Sequence, residues 1–208
     1  MYRVPIEVAI LGGGAGSNAD ALIRHGLRPE APYRVRLVLS TRADAGILDV
    51  ARRHNVEWIV LPAEDWASVL EQKLTEHSVG VLALAGFMRK LPESTIVMLN
   101  GNVLNVHPAL LPKYGGVGMY GLHVHRAVLA AGETVTGATV HRVTAGYDEG
   151  AILAQQSLPL ADYPSAEVLQ QRVKHLEHDL YPRALEAFCR AILGGGGLVD
   201  SVPWQGAD

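Results

Sequence analysis

Short, nearly unbroken apolar runs punctuate the first hundred residues, and each is followed by a stretch with helical spacing. The runs Val8 to Leu11, Val35 to Leu39, Trp58 to Leu61 and Val79 to Leu84 read as the first four strands. Between them, Asn18 to His25, Ala43 to His54 and Glu64 to His77 repeat apolar positions three and four apart, as helices covering a sheet do. Leu91-Pro92-Glu93-Ser94 opens another helix, with its proline near the first helical position. Strictly alternating elements of this kind predict a single-domain α/β fold: a mostly parallel, Rossmann-like sheet flanked by helices.

Beyond residue 100 the pattern changes. Strand-like segments at Val103 to His107, Thr136 to Thr144 and Ala151 to Leu160 surround one helix, about Val124 to Ala131, which predicts a mixed or antiparallel half. An amphipathic helix from Ser165 to about Leu193 closes the domain, and the glycines from Gly194 to Gly197 stop it. The expected domain is therefore 1–197, in two halves of about 1–100 and about 101–197, with a tail at 198–208.

Composition narrows the partners. The chain has 208 residues, 49% of them hydrophobic and 19% charged, with a net charge of -3, so it offers no global field for a nucleic-acid backbone. No segment approaches the roughly 18 to 20 apolar residues that span a bilayer, and Glu7 interrupts the first apolar run without a leader pattern. Cys189 is the only cysteine, which excludes an intrachain disulfide. The expectation is a cytoplasmic protein with small-molecule partners, no nucleic acid and no membrane; a homodimer is compatible with the sequence but not fixed by it.

Candidate chemistry concentrates in three segments. In the strand ending at Pro108, Asn105 and His107 are two apart and project to one face. A side-chain amide and an imidazole fixed there supply a donor for a developing oxyanion and a proton-transfer group. Asp148, in Gly146-Tyr147-Asp148-Glu149-Gly150, is an acid on a later loop that could orient and charge the imidazole. The expectation is that Asp148 lifts the His107 pKa above about 6.5. Gly14-Ala15-Gly16-Ser17-Asn18 follows the first strand and opens a helix, the geometry in which backbone N–H groups hold a phosphate. With Ala19 it also satisfies the Gly-x-Gly-x-x-Gly/Ala dinucleotide fingerprint, and the next strand ends in Ser40-Thr41-Arg42, which suits a 2′-phosphate. An NADP-dependent oxidoreductase is thus the alternative from another class, although it leaves Asn105, His107 and Asp148 unused. A non-catalytic phosphosugar-binding module would keep the Gly16 loop but has no need of Asp148. His123-Val124-His125 and His141 do not form a metal set, because histidines two apart on a helix do not share a face and no Cys or acidic cluster completes them.

These segments, with Leu84-Ala85-Gly86-Phe87-Met88-Arg89, Asn105 to Lys113, Gly137-Ala138-Thr139-Val140-His141, Gln171-Arg172-Val173, Glu177-His178 and Tyr181-Pro182, resemble the folate-dependent formyltransferase family over nearly the whole chain. The resemblance implies transfer of a formyl group from 10-formyltetrahydrofolate to the amine of 5-phosphoribosylglycinamide in purine synthesis, with a related formyltetrahydrofolate-using hydrolase or transferase as the nearer alternative. It implies Asn105, His107 and Asp148 as catalytic residues. It gives the ribonucleotide to Gly14, Ala15, Gly16, Ser17 and Asn18 with Lys174 and Glu177, and the folate to Met88, Arg89, Lys90, Leu91 and Asn105, without a metal. At 208 residues, the chain is expected to carry neither the extra nucleic-acid-binding domain of relatives acting on methionyl-tRNA nor the regulatory domain of the hydrolases. Two segments depart from the family. Pro62 to Ser68 lacks an arginine that meets the folate in family members, so Trp66 is expected to stack there instead. Tyr114 to Gly121 is longer and richer in glycine than the family's turn, as suits a flap over the site.

Overall fold

The computed structural model describes residues 4–160 and 165–195, so the expected tail at 198–208 and the end of the glycine run lie outside the described residues. Among the described residues, seven strands form one sheet: β1 (Ile6–Gly12), β2 (Tyr33–Ser40), β3 (Glu57–Val60), β4 (Val81–Ala85), β5 (Val103–His107), β6 (Val135–Arg142) and β7 (Ile152–Pro159). Among the same residues, six helices cover it: α1 (Ser17–Gly26), α2 (Gly46–Arg53), α3 (Trp66–Glu76), α4 (Glu93–Met98), α5 (Leu122–Ala130) and α6 (Ala166–Leu193). The elements match the sequence expectation within a few residues at each end, where chain termini of elements are least determined.

The strand order is β3-β2-β1-β4-β5-β6-β7. The first five strands of the chain pair in parallel, while β6 and β7 pair antiparallel, which is the mixed second half read from the sequence. Because successive side chains alternate faces, the apolar runs of β1, β2, β4 and β5 feed two cores at once, whereas β3 lies at the sheet edge with Trp58 and Val60 exposed. Val8, Ile10, Val81, Ala83, Leu104 and Val106 pack under α1, α2, α5 and α6. Ala9, Leu11, Leu82, Leu84 and Val103 pack under α3 and α4. Burial on both sides is the reason these runs lack polar alternation.

The chain leaves β1 toward β2 on one side, and β4 lies on the other, so β1 and β4 flank the point where strand order reverses. Open α/β sheets form their crevice outside the carboxyl ends of such strands. Here the approach is close: Gly13 N donates to Gly86 O at 3.3 Å, and a Cβ on Gly12 would stand 2.3 Å from Ala85 O. Gly16 caps α1 in the left-handed region, φ +85°, where a Cβ would meet the Ile47 backbone at 2.7 Å. On the far side, Tyr181 of α6 is fully buried, and its hydroxyl bonds Leu84 O (3.1 Å) and Leu104 O (3.0 Å). That clamp fixes the long helix across β4 and β5 and sets its Lys174 and Glu177 over the crevice.

Candidate active site

A cavity of about 840 Å³ opens at the switch point, within the range of pockets that hold small ligands. Its wall includes the loop Gly13 to Asn18, Thr41 and Arg42, the segment Leu84 to Leu91, and Asn105 to Pro108. Gly116 to Gly121, His125, His141, Val143, Thr144, Gly146 to Asp148, Gln170, Lys174 and Glu177 complete it. Every site residue expected from the sequence therefore faces one space: Gly14, Ala15, Gly16, Ser17, Asn18, Met88, Arg89, Lys90, Leu91, Asn105, His107, Asp148, Lys174 and Glu177. A smaller cleft of about 280 Å³ shares Ala15 and Ser17 but reaches none of Asn105, His107 and Asp148. Among the described residues no group of His, Cys, Asp or Glu is placed to hold a metal ion, and no helix is long and apolar enough to cross a membrane.

The centre of the site is built by β5, β6 and the loop after β6. Asn105 pairs with His141 in the antiparallel register, and His107 with Thr139. Asp148 lies in the left-handed region at φ +57°, a conformation that Asp tolerates better than most residues, and its carboxylate comes between two imidazoles. Oδ2 is 3.4 Å from His107 Nδ1 and Oδ1 is 3.4 Å from His141 Nε2. The Gly116 amide donates to Oδ2 at 2.9 Å. His107 Nε2 donates to the Tyr114 carbonyl at 2.7 Å, since that oxygen can only accept. Tyr114 is anchored in turn, because its hydroxyl and the Lys113 ammonium both reach Glu133 Oε1 at 2.9 Å. The Gly-rich segment is thus tied to both members of the His107 and Asp148 pair.

The electrostatics correct one expectation. His107 is 3% exposed, and burial pushes its pKa down; the Asp148 charge and the Tyr114 carbonyl act upward but do not overcome it. Removing an imidazolium from water costs more here than one carboxylate at 3.4 Å returns. Burial also acts to raise the Asp148 carboxyl, yet the hydrogen bond to His141, the Gly116 amide and the two imidazoles together hold it below the usual carboxylate range. The second expectation to change concerns Trp66. It packs against Phe87 with ring centroids 5.5 Å apart and carries the Arg89 guanidinium 4.5 Å from its ring centre. Trp66 therefore stacks behind Arg89 and is not among the residues lining the cavity.

Across the cavity, Asn18 Nδ2 donates to Glu177 Oε2 at 2.7 Å, while Asn18 Oδ1 is buried without a partner. Burial lifts the Glu177 carboxyl to about 7, with Asn18 and Lys174 acting downward. In the sequence His125 stands out only as a metal ligand without a full set and His141 also as the end of a family segment, and both line the cavity. Pairing of β6 with β5 is what sets His141 opposite Asn105, and register is a property of two strands together. His125 is 1% exposed and its Nδ1 has no partner among the described residues; burial, then Lys174 and His107, push it down to about 4. An unfolded histidine titrates near 6.5, so this depressed group contributes stability that is full above about 6.5 and is lost as pH falls toward 4. Melting temperatures of the wild type and His125→Gln, measured between pH 4 and 7, should accordingly shift in the variant's favour as pH falls. A pH-independent difference would remove His125 from the acid sensitivity.

Comparison with known proteins follows the same outline. The model of the family described as formyl transferase matches residues 6–185. The trifunctional purine biosynthetic protein adenosine-3 of Gallus gallus is 36% identical over 187 residues, covering 87% of this chain and 18% of that protein. The chloroplastic phosphoribosylglycinamide formyltransferase of Vigna unguiculata is 33% identical over 189 residues, 88% of this chain and 61% of that protein. The chain thus spans less than a fifth of the first relative and under two thirds of the second. Among solved structures, phosphoribosylglycinamide formyltransferase from Brucella melitensis superposes with a TM-score of 0.82 at 38% identity, covering 89% of this chain and 96% of that one.

Proposed function

The chain belongs to the formyl transferase family, and from that premise we propose that it transfers the formyl group of 10-formyltetrahydrofolate to the amine of 5-phosphoribosylglycinamide, giving formylglycinamide ribonucleotide and tetrahydrofolate. The observation that carries this reading is the meeting, in one cavity, of the α1 phosphate loop with the Asn105, His107 and Asp148 cluster. The loop supplies backbone N–H groups and the positive end of a helix to a monophosphate. Glu177 and Lys174 stand beside Asn18 where the ribose would lie. Phe87, Met88, Leu91 and Val143 offer apolar wall to a flat pterin, and Arg89, braced on Trp66, offers a cation to the folate's acidic tail.

The amine nitrogen attacks the formyl carbon, and the new C–N bond pushes the carbonyl electrons onto oxygen. Asn105 Nδ2 and the His107 imidazolium donate to that oxyanion. Asp148 assists removal of the proton from the attacking nitrogen, and His107 returns a proton to the departing folate nitrogen as its C–N bond breaks. Burial makes the imidazolium costly in the resting site, so its charge is favoured most when the oxyanion forms, which is where catalysis benefits. Both ring nitrogens of His107 already face protein acceptors. The Nε2 proton must pass from the Tyr114 carbonyl to the oxyanion, which couples the Gly-rich segment to the reaction.

Purified protein given glycinamide ribonucleotide and 10-formyltetrahydrofolate should release tetrahydrofolate, and the dephosphorylated riboside should be a very poor acceptor. Release without any acceptor would instead favour a hydrolase, and tight NADP binding by calorimetry would favour the oxidoreductase. No release under any of these conditions would overturn the transfer reading.

A further inference from the structure

His141 is buried, 2% exposed, and is held directly opposite Asn105 by strand register. Its Nδ1 lies 2.8 Å from the Arg142 carbonyl. A carbonyl only accepts, so Nδ1 keeps its proton, and in the neutral ring Nε2 is left as an acceptor. Two groups compete for that nitrogen. Asn105 Nδ2 is 3.2 Å away and can donate to it; Asp148 Oδ1 is 3.4 Å away and can accept from it only when it carries a proton. The other charged or titratable groups around His141 are His107 on β5, beyond Asp148, and Arg142 on its own strand. Arg142 is turned away, its guanidinium bonding the carbonyls of Gly101 and Asn100. Lys174 and Glu177 of α6 line the same cavity.

A side-chain amide has a donor end and an acceptor end, and only the donor end stabilises an oxyanion; the wrong way round, Asn105 would present a lone pair to negative charge. We propose that His141 is a positioning residue whose neutral Nε2 fixes the Asn105 amide with its N–H group toward the reacting carbonyl, and whose protonation transfers that nitrogen to Asp148 and releases the amide. In the neutral state one N–H of Asn105 binds His141 and the second is free for substrate. In the protonated state Nε2–H meets Asp148 Oδ1 and repels the Asn105 N–H, so the amide loses the contact that orients it. The mechanistic value of this arrangement rests on the formyl-transfer reading, but the arrangement itself does not.

The test uses two variants. Glutamine at this position can place its carbonyl oxygen near the Nε2 site and accept from Asn105 without titrating, whereas leucine fills space and accepts nothing. His141→Leu should lower kcat by about 10²-fold, the scale of a lost oxyanion donor, with KM for both substrates little changed. His141→Gln should recover kcat to within about tenfold of the wild type and should lack the acid limb whose midpoint equals that of the His141 ring. Independently of turnover, the Asn105 side-chain N–H₂ resonances in ¹⁵N-labelled protein should titrate with the His141 midpoint in the wild type and stay fixed in His141→Gln. Wild-type kcat and an unaltered pH profile in His141→Leu would overturn the proposal, as would Asn105 resonances that ignore His141. A wild type that transfers no formyl group while Asn105 still follows His141 would overturn the assigned reaction and leave the amide switch standing.

Discussion

Replacing His107 with alanine should lower kcat for formyl transfer by about 10² to 10⁴, with KM for both substrates nearly unchanged. The size follows from two duties on one ring: a donor to the oxyanion and a proton source for the departing nitrogen. The selectivity for kcat follows from timing, because the imidazolium is disfavoured by burial in the resting site and gains its full worth only against developing negative charge. The ring is 3% exposed and spans Tyr114 and Asp148, so its removal leaves the Tyr114 carbonyl without that donor and Asp148 without one neighbour. A melting curve run beside the steady-state rates separates lost chemistry from lost fold. A folded alanine variant with near wild-type kcat would remove His107 from the mechanism.

Asp148→Asn should give the second large effect, a fall in kcat near neutral pH of at least roughly 10²-fold. Asparagine suits the test because it tolerates the left-handed backbone at φ +57° and its oxygen can still accept from the Gly116 amide. The turn keeps its shape and only the charge is lost. Burial sets the direction of the His107 shift and Asp148 partly offsets it, so without the carboxylate the His107 pKa drops further. A reaction that needs imidazolium loses activity as pH rises through that pKa, and the basic limb tied to His107 therefore moves to lower pH in the variant. NMR titration of the His107 ring in both proteins, alongside their pH-rate profiles, checks the sign. An unchanged His107 pKa would break the pair and return Asp148 to the role of a turn residue.

Much of this site is legible in one dimension because its rules are local. Asn105 and His107 share a face because a strand repeats every two residues, and the structure sets both on the wall of one cavity. Gly12 to Gly16 announce a close backbone approach, and the contacts with Ala85 and Ile47 are what a side chain there would violate. The near-continuous apolar runs announce strands, and the two cores on opposite sides of the sheet account for those of β1, β2 and β4, while the run of β3 sits at the sheet edge with Trp58 and Val60 exposed. Lys174 and Glu177 came from the family resemblance and not from periodicity, since an acid and a base three apart usually mark a solvated helix face.

What depended on tertiary structure is of another physical kind. His141 becomes a partner of Asn105 only through the antiparallel register of β5 and β6, and register is set between strands, not within one. Trp66 turns to Arg89 because α3 brings it beside the segment after β4, and no spacing rule contains that packing. The sign of the His107 shift is the clearest case. From the sequence, an acid partner argues for a raised pKa; in the fold, desolvation by surrounding atoms from several elements outweighs it. Periodicity, turn chemistry and glycine clearances act over a few residues and are written along the chain. Strand pairing, burial and the electrostatic balance sum over groups distant in sequence, so they come into being only when the chain has folded.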